Sequence, residues 1–212
     1  MTSLAERYAG RTVLAVGAHA DDIELAVGGT MARLRRAGAR VVMLVVSLPG
    51  EHKVRRREAQ EAAKILGCEL RVLMDDARRI EDMKSYELVA RIDREVRELE
   101  PAAMLTHGAS EFHRDHVLVH QACVSSQRLR YFDFFTYQPN FCRPVPIAFH
   151  PRVYVDITDS IDTKMRAIEA HESQFKCRGL GTEMYRDIAR MNGRMVGVKY
   201  AEGLDVARML LA

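Results

Sequence analysis

His19-Ala20-Asp21-Asp22 closes an apolar run at residues 12–18, and His113-Arg114-Asp115-His116 follows another at 102–106. Imidazoles and carboxylates are the donors that take a borderline divalent cation. A catalytic zinc uses three of them and leaves a fourth position for water. His19, Asp22 and His116 supply two imidazoles and a carboxylate. Asp21 is then free to accept the proton of water, and His113 to steady an oxyanion or protonate a leaving nitrogen. Asp115 can orient His113 or a ligating imidazole. Such a set hydrolyses with metal-activated water. Zinc (Zn2+) is the expected metal, and the same donors also accept Fe2+. Taken singly, each cluster reads as an ordinary strand end, with Asp22 as a helix N-cap. The chemistry requires that they meet.

The elements between them supply the means. Residues 12–18, 40–47, 69–74 and 102–106 read as buried strands, and 22–37, 52–66, 85–99 and about 115–130 as helices. Gly38 and Gly67 end the first two helices, and Pro101 follows the third. Further on, 131–137 is aromatic and strand-like, 153–155 reads as a short strand, and 161–173 and 183–191 as helices. Residues 141–151, with three prolines, read as a surface loop. Alternating strands and helices predict an α/β protein of three layers, Rossmann-like, with a mostly parallel sheet and a single domain over residues 1–212. In such a sheet ligands bind beyond the carboxyl ends of the strands, where the strand order switches direction. The first and fourth strands are neighbours there, so both clusters are expected in one crevice.

Composition excludes other roles. At 212 residues and 48% hydrophobic content the chain can bury a substantial core, and a formal charge of +3 is too balanced for a nucleic-acid partner. The apolar stretch at 41–46 is far too short to span a bilayer, so no membrane partner is expected. Cys68, Cys123, Cys142 and Cys177 form no close pair. The first residues lack a charged-then-apolar leader layout. A cytoplasmic location with free thiols is the expectation.

The two clusters resemble those of the LmbE-like (PIG-L) family of zinc-dependent N-acetylglucosaminyl deacetylases. Ala18-His19-Ala20-Asp21-Asp22-Ile23-Glu24 followed by Gly28-Gly29-Thr30 is similar to the family's A-H-P-D-D-x-E and G-G-T, and His113-Arg114-Asp115-His116 to its H-x-D-H. Arg55 to Ala59, Asp156-Ile157-Thr158, Lys164, His171 to Gln174 and Tyr200-Ala201-Glu202 also look like family segments. The resemblance implies zinc on His19, Asp22 and His116, Asp21 as general base, His113 as acid or oxyanion group, and Asp115 supporting His113. It implies removal of an N-acetyl or related N-acyl group from an amino sugar or glycoconjugate, with a small-molecule substrate and a homo-oligomer, trimer or hexamer, as in some relatives. Ala20 replaces the usual proline and loosens the φ restraint between His19 and Asp21.

Other signals carry less. Lys53, Arg55, Arg56 and Arg57 open a helix where cations oppose the macrodipole, so Arg55 is a candidate substrate-binding residue facing the crevice; Glu58 and Glu61 offer local pairing instead. Glu24 is read as holding the first loop or its histidine, and His107 as structural unless its place after the fourth strand brings it to the site. Two rivals remain: a non-haem Fe(II) enzyme on the same ligands, and a catalytically silent metal- or sugar-binding protein.

Overall fold

The computed structural model describes residues 3–139 and 149–210. Among these residues seven strands form one sheet: β1 (Thr12–Gly17), β2 (Arg40–Ser47), β3 (Glu69–Met74), β4 (Ala103–His107), β5 (Asp133–Tyr137), β6 (Val153–Asp156) and β7 (Ala201–Arg208). Their order is β3-β2-β1-β4-β5-β7-β6. The first five run parallel, and β7 pairs antiparallel with both β5 and β6. The helices are α1 (Leu4–Arg7), α2 (Asp22–Arg36), α3 (His52–Leu66), α4 (Ser85–Leu99), α5 (Arg114–Ser126), α6 (Ile161–Glu169) and α7 (Glu183–Val196).

Strand alternation sorts the core into two faces. Val13, Ala15, Val41 and Met43 pack with residues of α2, α6 and α7, whereas Leu14, Val16, Val42 and Leu44 pack with α4 and α5. The central strands are therefore apolar without a break, as a doubly covered parallel sheet requires. Phe132, Phe134, Phe135 and Tyr137 are fully buried, and the Tyr137 hydroxyl donates to the Val16 carbonyl. Cys68, Cys123 and Cys177 are free thiols. Cys142 and most of the proline-rich segment expected to form a loop lie outside the described residues. Among the described residues no helix is long and apolar enough to cross a membrane.

β1 and β4 are hydrogen-bonded neighbours, so their carboxyl ends open side by side. Beyond β1 the chain turns sharply. A side chain at Gly17 would press on Ile23 at 3.0 Å and on Asp22 at 3.2 Å, so glycine lets α2 begin this close to the strand.

α2 is broken at Val27 (φ −134°, ψ 17°), and the break exposes helix ends inside the protein. Glu202, at the start of β7, accepts from the Gly29 and Thr30 amides and the Thr30 hydroxyl. Lys164 of α6 donates to the Leu25 carbonyl and pairs with Glu202 at 2.5 Å. One buried ion pair thus caps both sides of the break. Gly29 fits here because a Cβ would lie 2.8 Å from Ile157. Replacing Glu202 with glutamine leaves a buried ammonium unpaired, which costs about 3–5 kcal/mol. Thermal unfolding should show a midpoint roughly 10 °C lower; an unchanged midpoint would contradict this role.

Candidate metal centre

The two clusters meet. His19 lies in the loop after β1, Asp22 opens α2, and His113 and His116 lie at the start of α5. Donor atoms of His19, Asp22 and His116 all lie within 4.8 Å of one another. Asp22 is central: Oδ1 is 3.3 Å from His116 Nε2, and Oδ2 is 3.8 Å from His19 Nδ1. Its Oδ2 also accepts the His19 amide at 2.8 Å, which holds the loop against the first turn of α2. The N-cap position falls on Asp21, whose side chain makes no cap hydrogen bond. Asp21 has φ 97°, a conformation disfavoured for any residue with a Cβ.

The His19, His113 and His116 rings form one group, with His19 5.0 Å from His113 and 5.7 Å from His116 between centroids. His113 caps α5, its Nδ1 accepting the Asp115 amide. The Asp115 carboxylate turns the other way and sits 2.9 Å from His19 Nε2. Asp115 thus holds the ligating imidazole of His19 through its side chain and meets His113 through its backbone amide, its carboxylate staying within 4.8 Å of a His113 ring nitrogen.

Burial and charge set the protonation of this group in the metal-free protein. Burial raises the Asp21 carboxyl and the adjacent Asp22 charge adds to it, bringing it to about 6. Burial also acts on Asp22, but the His116 and His107 imidazoles outweigh it and hold its carboxyl well below the usual range. Burial opposes charge on His116, yet Asp22 and Glu111 push it up to about 10. His107 goes the other way, to about 4, through burial and its neighbour His116.

A cavity of about 430 Å³ opens over this group. Asp21, Asp22, His19, His113 and His116 line its polar side, and Leu25, Pro49, Phe175, Leu180 and Tyr185 its apolar side. Gln174, Arg55 and Arg178 complete it. Arg55 reaches the cavity as expected, although its Nη2 donates to the Ala20 carbonyl at 3.0 Å and stands 3.8 Å from Asp21. It therefore braces the strained loop. Arg56 turns away to pair with Asp75.

Several residues take parts that their spacing did not disclose. Glu24 binds neither His19 nor its loop; it pairs with buried His171 at 3.0 Å. Glu58 accepts the amide and hydroxyl of Ser173. Together these two carboxylates moor the segment that carries Gln174 and Phe175 into the cavity wall. His107 lies at the heart of the site, its Nε2 accepting the Ala18 amide and its ring stacked 4.0 Å from His116. Glu111, two residues before the second cluster, faces His116 Nδ1 at 3.7 Å. Placement after β4 hinted at His107; no pattern pointed to Glu111.

Known proteins share sequence and fold with this chain. Diacetylchitobiose deacetylase from Thermococcus kodakarensis is 28% identical over 226 residues, covering 92% of this chain and 82% of that protein. The crystal structure of the conserved protein TT1542 from Thermus thermophilus superposes with a TM-score of 0.81 at 26% identity, covering 95% and 97% of the two chains. GalB, the 4-carboxy-2-hydroxymuconate hydratase of Pseudomonas putida KT2440, shares the fold with a TM-score of 0.79 at 22% identity, covering 95% and 98%. The model of the PIG-L family, GlcNAc-PI de-N-acetylase, matches residues 14–126, from within β1 to the end of α5. With both His/Asp clusters inside that span, this chain belongs to the GlcNAc-PI de-N-acetylase (PIG-L) family.

Proposed function

We propose that this protein is a metal-dependent N-deacetylase that removes an N-acetyl or related N-acyl group from an amino sugar or glycoconjugate. The observation that carries this reading is the convergence of His19, Asp22 and His116 beneath a cavity that also presents Asp21 and His113. The residues fit a divalent ion. Two imidazoles and one carboxylate converge from separate elements, and the Asp115 carboxylate holds the far nitrogen of one imidazole. His19, Asp22 and His116 would hold zinc, or Fe2+, which accepts the same donors. Bound there, the metal polarises the acyl oxygen and lowers the pKa of water.

The chain's own residues do the rest. Asp21 lines the cavity next to the ligands and takes the proton of the attacking water as its oxygen bonds to the acyl carbon. Arg55, tied to the Ala20 carbonyl, keeps the Asp21 carboxylate turned to the cavity. His113 steadies the charge developing on the acyl oxygen, or delivers a proton to the nitrogen as the carbon–nitrogen bond breaks. The free amine and a carboxylate leave. The apolar side of the cavity, with Phe175 and Leu180, receives carbon-rich parts of the substrate. The chitobiose deacetylase relative supports an amino-sugar substrate.

The test is product analysis on a panel of N-acetylated amino sugars and chitooligosaccharides, measuring free amine and acetate together. Equal amounts of both support N-deacetylation. Because a hydratase shares the fold, addition of water without acetate release is the contrary result.

A further inference from the structure

Behind the proposed ligands lies a buried polar set that the hydrolytic scheme does not use. His107 Nδ1, His116 Nδ1 and both Glu111 carboxylate oxygens are buried without a hydrogen-bond partner among the described residues. The Glu111 side chain is 0% exposed. A carboxylate so enclosed is strongly unfavourable unless a positive or proton-bearing group faces it. The group that faces it is His116: Glu111 Oε2 stands 3.7 Å from Nδ1, while His116 Nε2 points to Asp22 at 3.3 Å.

A second ion held by His107, Glu111 and His116 does not suit the geometry, although their donor atoms lie within 4.8 Å of one another. The His107 and His116 rings are stacked 4.0 Å apart at only 14°. Their in-plane lone pairs run side by side and cannot converge on one ion about 2.0–2.1 Å from each. His107 is engaged elsewhere, accepting the Ala18 amide on Nε2, which leaves its proton on Nδ1. It serves as a neutral wall against which the His116 ring lies flat.

We infer that Glu111 is the positioning residue of the metal centre. It holds His116 with its proton on Nδ1, so that the Nε2 lone pair faces the Asp22 side, and it places a second buried negative charge beside Asp22 to match a divalent cation. A carboxylate behind a ligating imidazole raises its basicity and fixes its tautomer and ring plane. His19 has the same arrangement, its Nε2 being held by Asp115. Both imidazoles of the ligand set are thereby backed by buried carboxylates. This inference rests on the reading of His19, Asp22 and His116 as ligands.

Wild type, Glu111→Gln, Glu111→Asp and His116→Ala are titrated with Zn2+ and Co2+ against a chromophoric chelator, and the metal-free forms are melted. Glu111→Gln should bind metal roughly 10–100-fold more weakly, with an altered Co2+ visible spectrum as the His116 ring loses its anchor. Its metal-free melting curve serves as the check that the variant is folded. Glu111→Asp should keep part of the affinity, and it decides the matter if Glu111→Gln does not fold. A residue that merely packs would leave affinity within about threefold of wild type and the Co2+ spectrum unchanged, and that result overturns the inference. Should His116→Ala lose metal while both Glu111 variants bind normally, the ligand set stands and the role of Glu111 falls. If wild type binds no metal, the ligand set itself falls, and this inference with it.

Discussion

His116→Ala is expected to lose its metal and its turnover together. His116 Nε2 lies 3.3 Å from Asp22, and the ring stacks on His107 with Glu111 3.7 Å from its other nitrogen, so the substitution removes one of the three converging donors. Removing an outer partner of a ligand typically weakens metal binding or activity roughly 10–100-fold, and loss of the ligand itself should exceed that. Alanine also removes a buried imidazole, so a folding check by circular dichroism belongs with the measurement. A folded His116→Ala protein retaining wild-type metal content would show that the ion is held elsewhere.

Asp21→Asn should separate metal binding from catalysis. Asparagine keeps the size of the side chain and tolerates the positive φ of 97° better than most residues, so the loop should survive. What disappears is the ability to accept a proton. General-base catalysis contributes about 10²–10⁴-fold, and kcat should fall by that factor while metal content stays at the wild-type level. A loss confined to KM would assign Asp21 to substrate binding. Unchanged turnover would favour another base or the silent binding protein, and these two differ in whether any acyl-amine is cleaved.

Much of the scaffold is legible in the sequence because parallel strands buried on both faces are unbroken apolar runs. β2, β3, α3 and α4 fall at the expected residues, and the neighbouring β1 and β4 bring the two clusters together as the switch-point rule requires. β7 escapes notice because Glu202, Gly203 and Asp205 interrupt its pattern, and the reason is functional to the fold: Glu202 caps a broken helix. The break itself, at Val27, stands just before Gly28-Gly29, a breaking signal that the helical apolar spacing on either side masks. α5 ends at Ser126, before the expected residue 130, and α7 continues to Val196, beyond 191.

The site divides along similar lines. His19, Asp21, Asp22, His113, Asp115 and His116 are visible from chemistry-bearing types placed after strands, and the cavity collects five of these six, with Asp115 behind His19. The partners of those residues are less legible. Glu24 with His171 and Glu58 with Ser173 join positions more than a hundred residues apart, and no local spacing encodes such pairs. Asp115 shows the limit from the other side. Next to His116 and two residues from His113 in sequence, its side chain bonds instead to a histidine 96 residues away, because the N-cap geometry of α5 turns it across the crevice.

The most direct test of the whole account is reconstitution of chelator-stripped protein with zinc, followed by amine release from an N-acetylated amino sugar that the native protein cleaves. Activity that is absent without metal and rises in proportion to added zinc until one ion per chain is bound is the predicted result. Full turnover by the metal-free protein would contradict it.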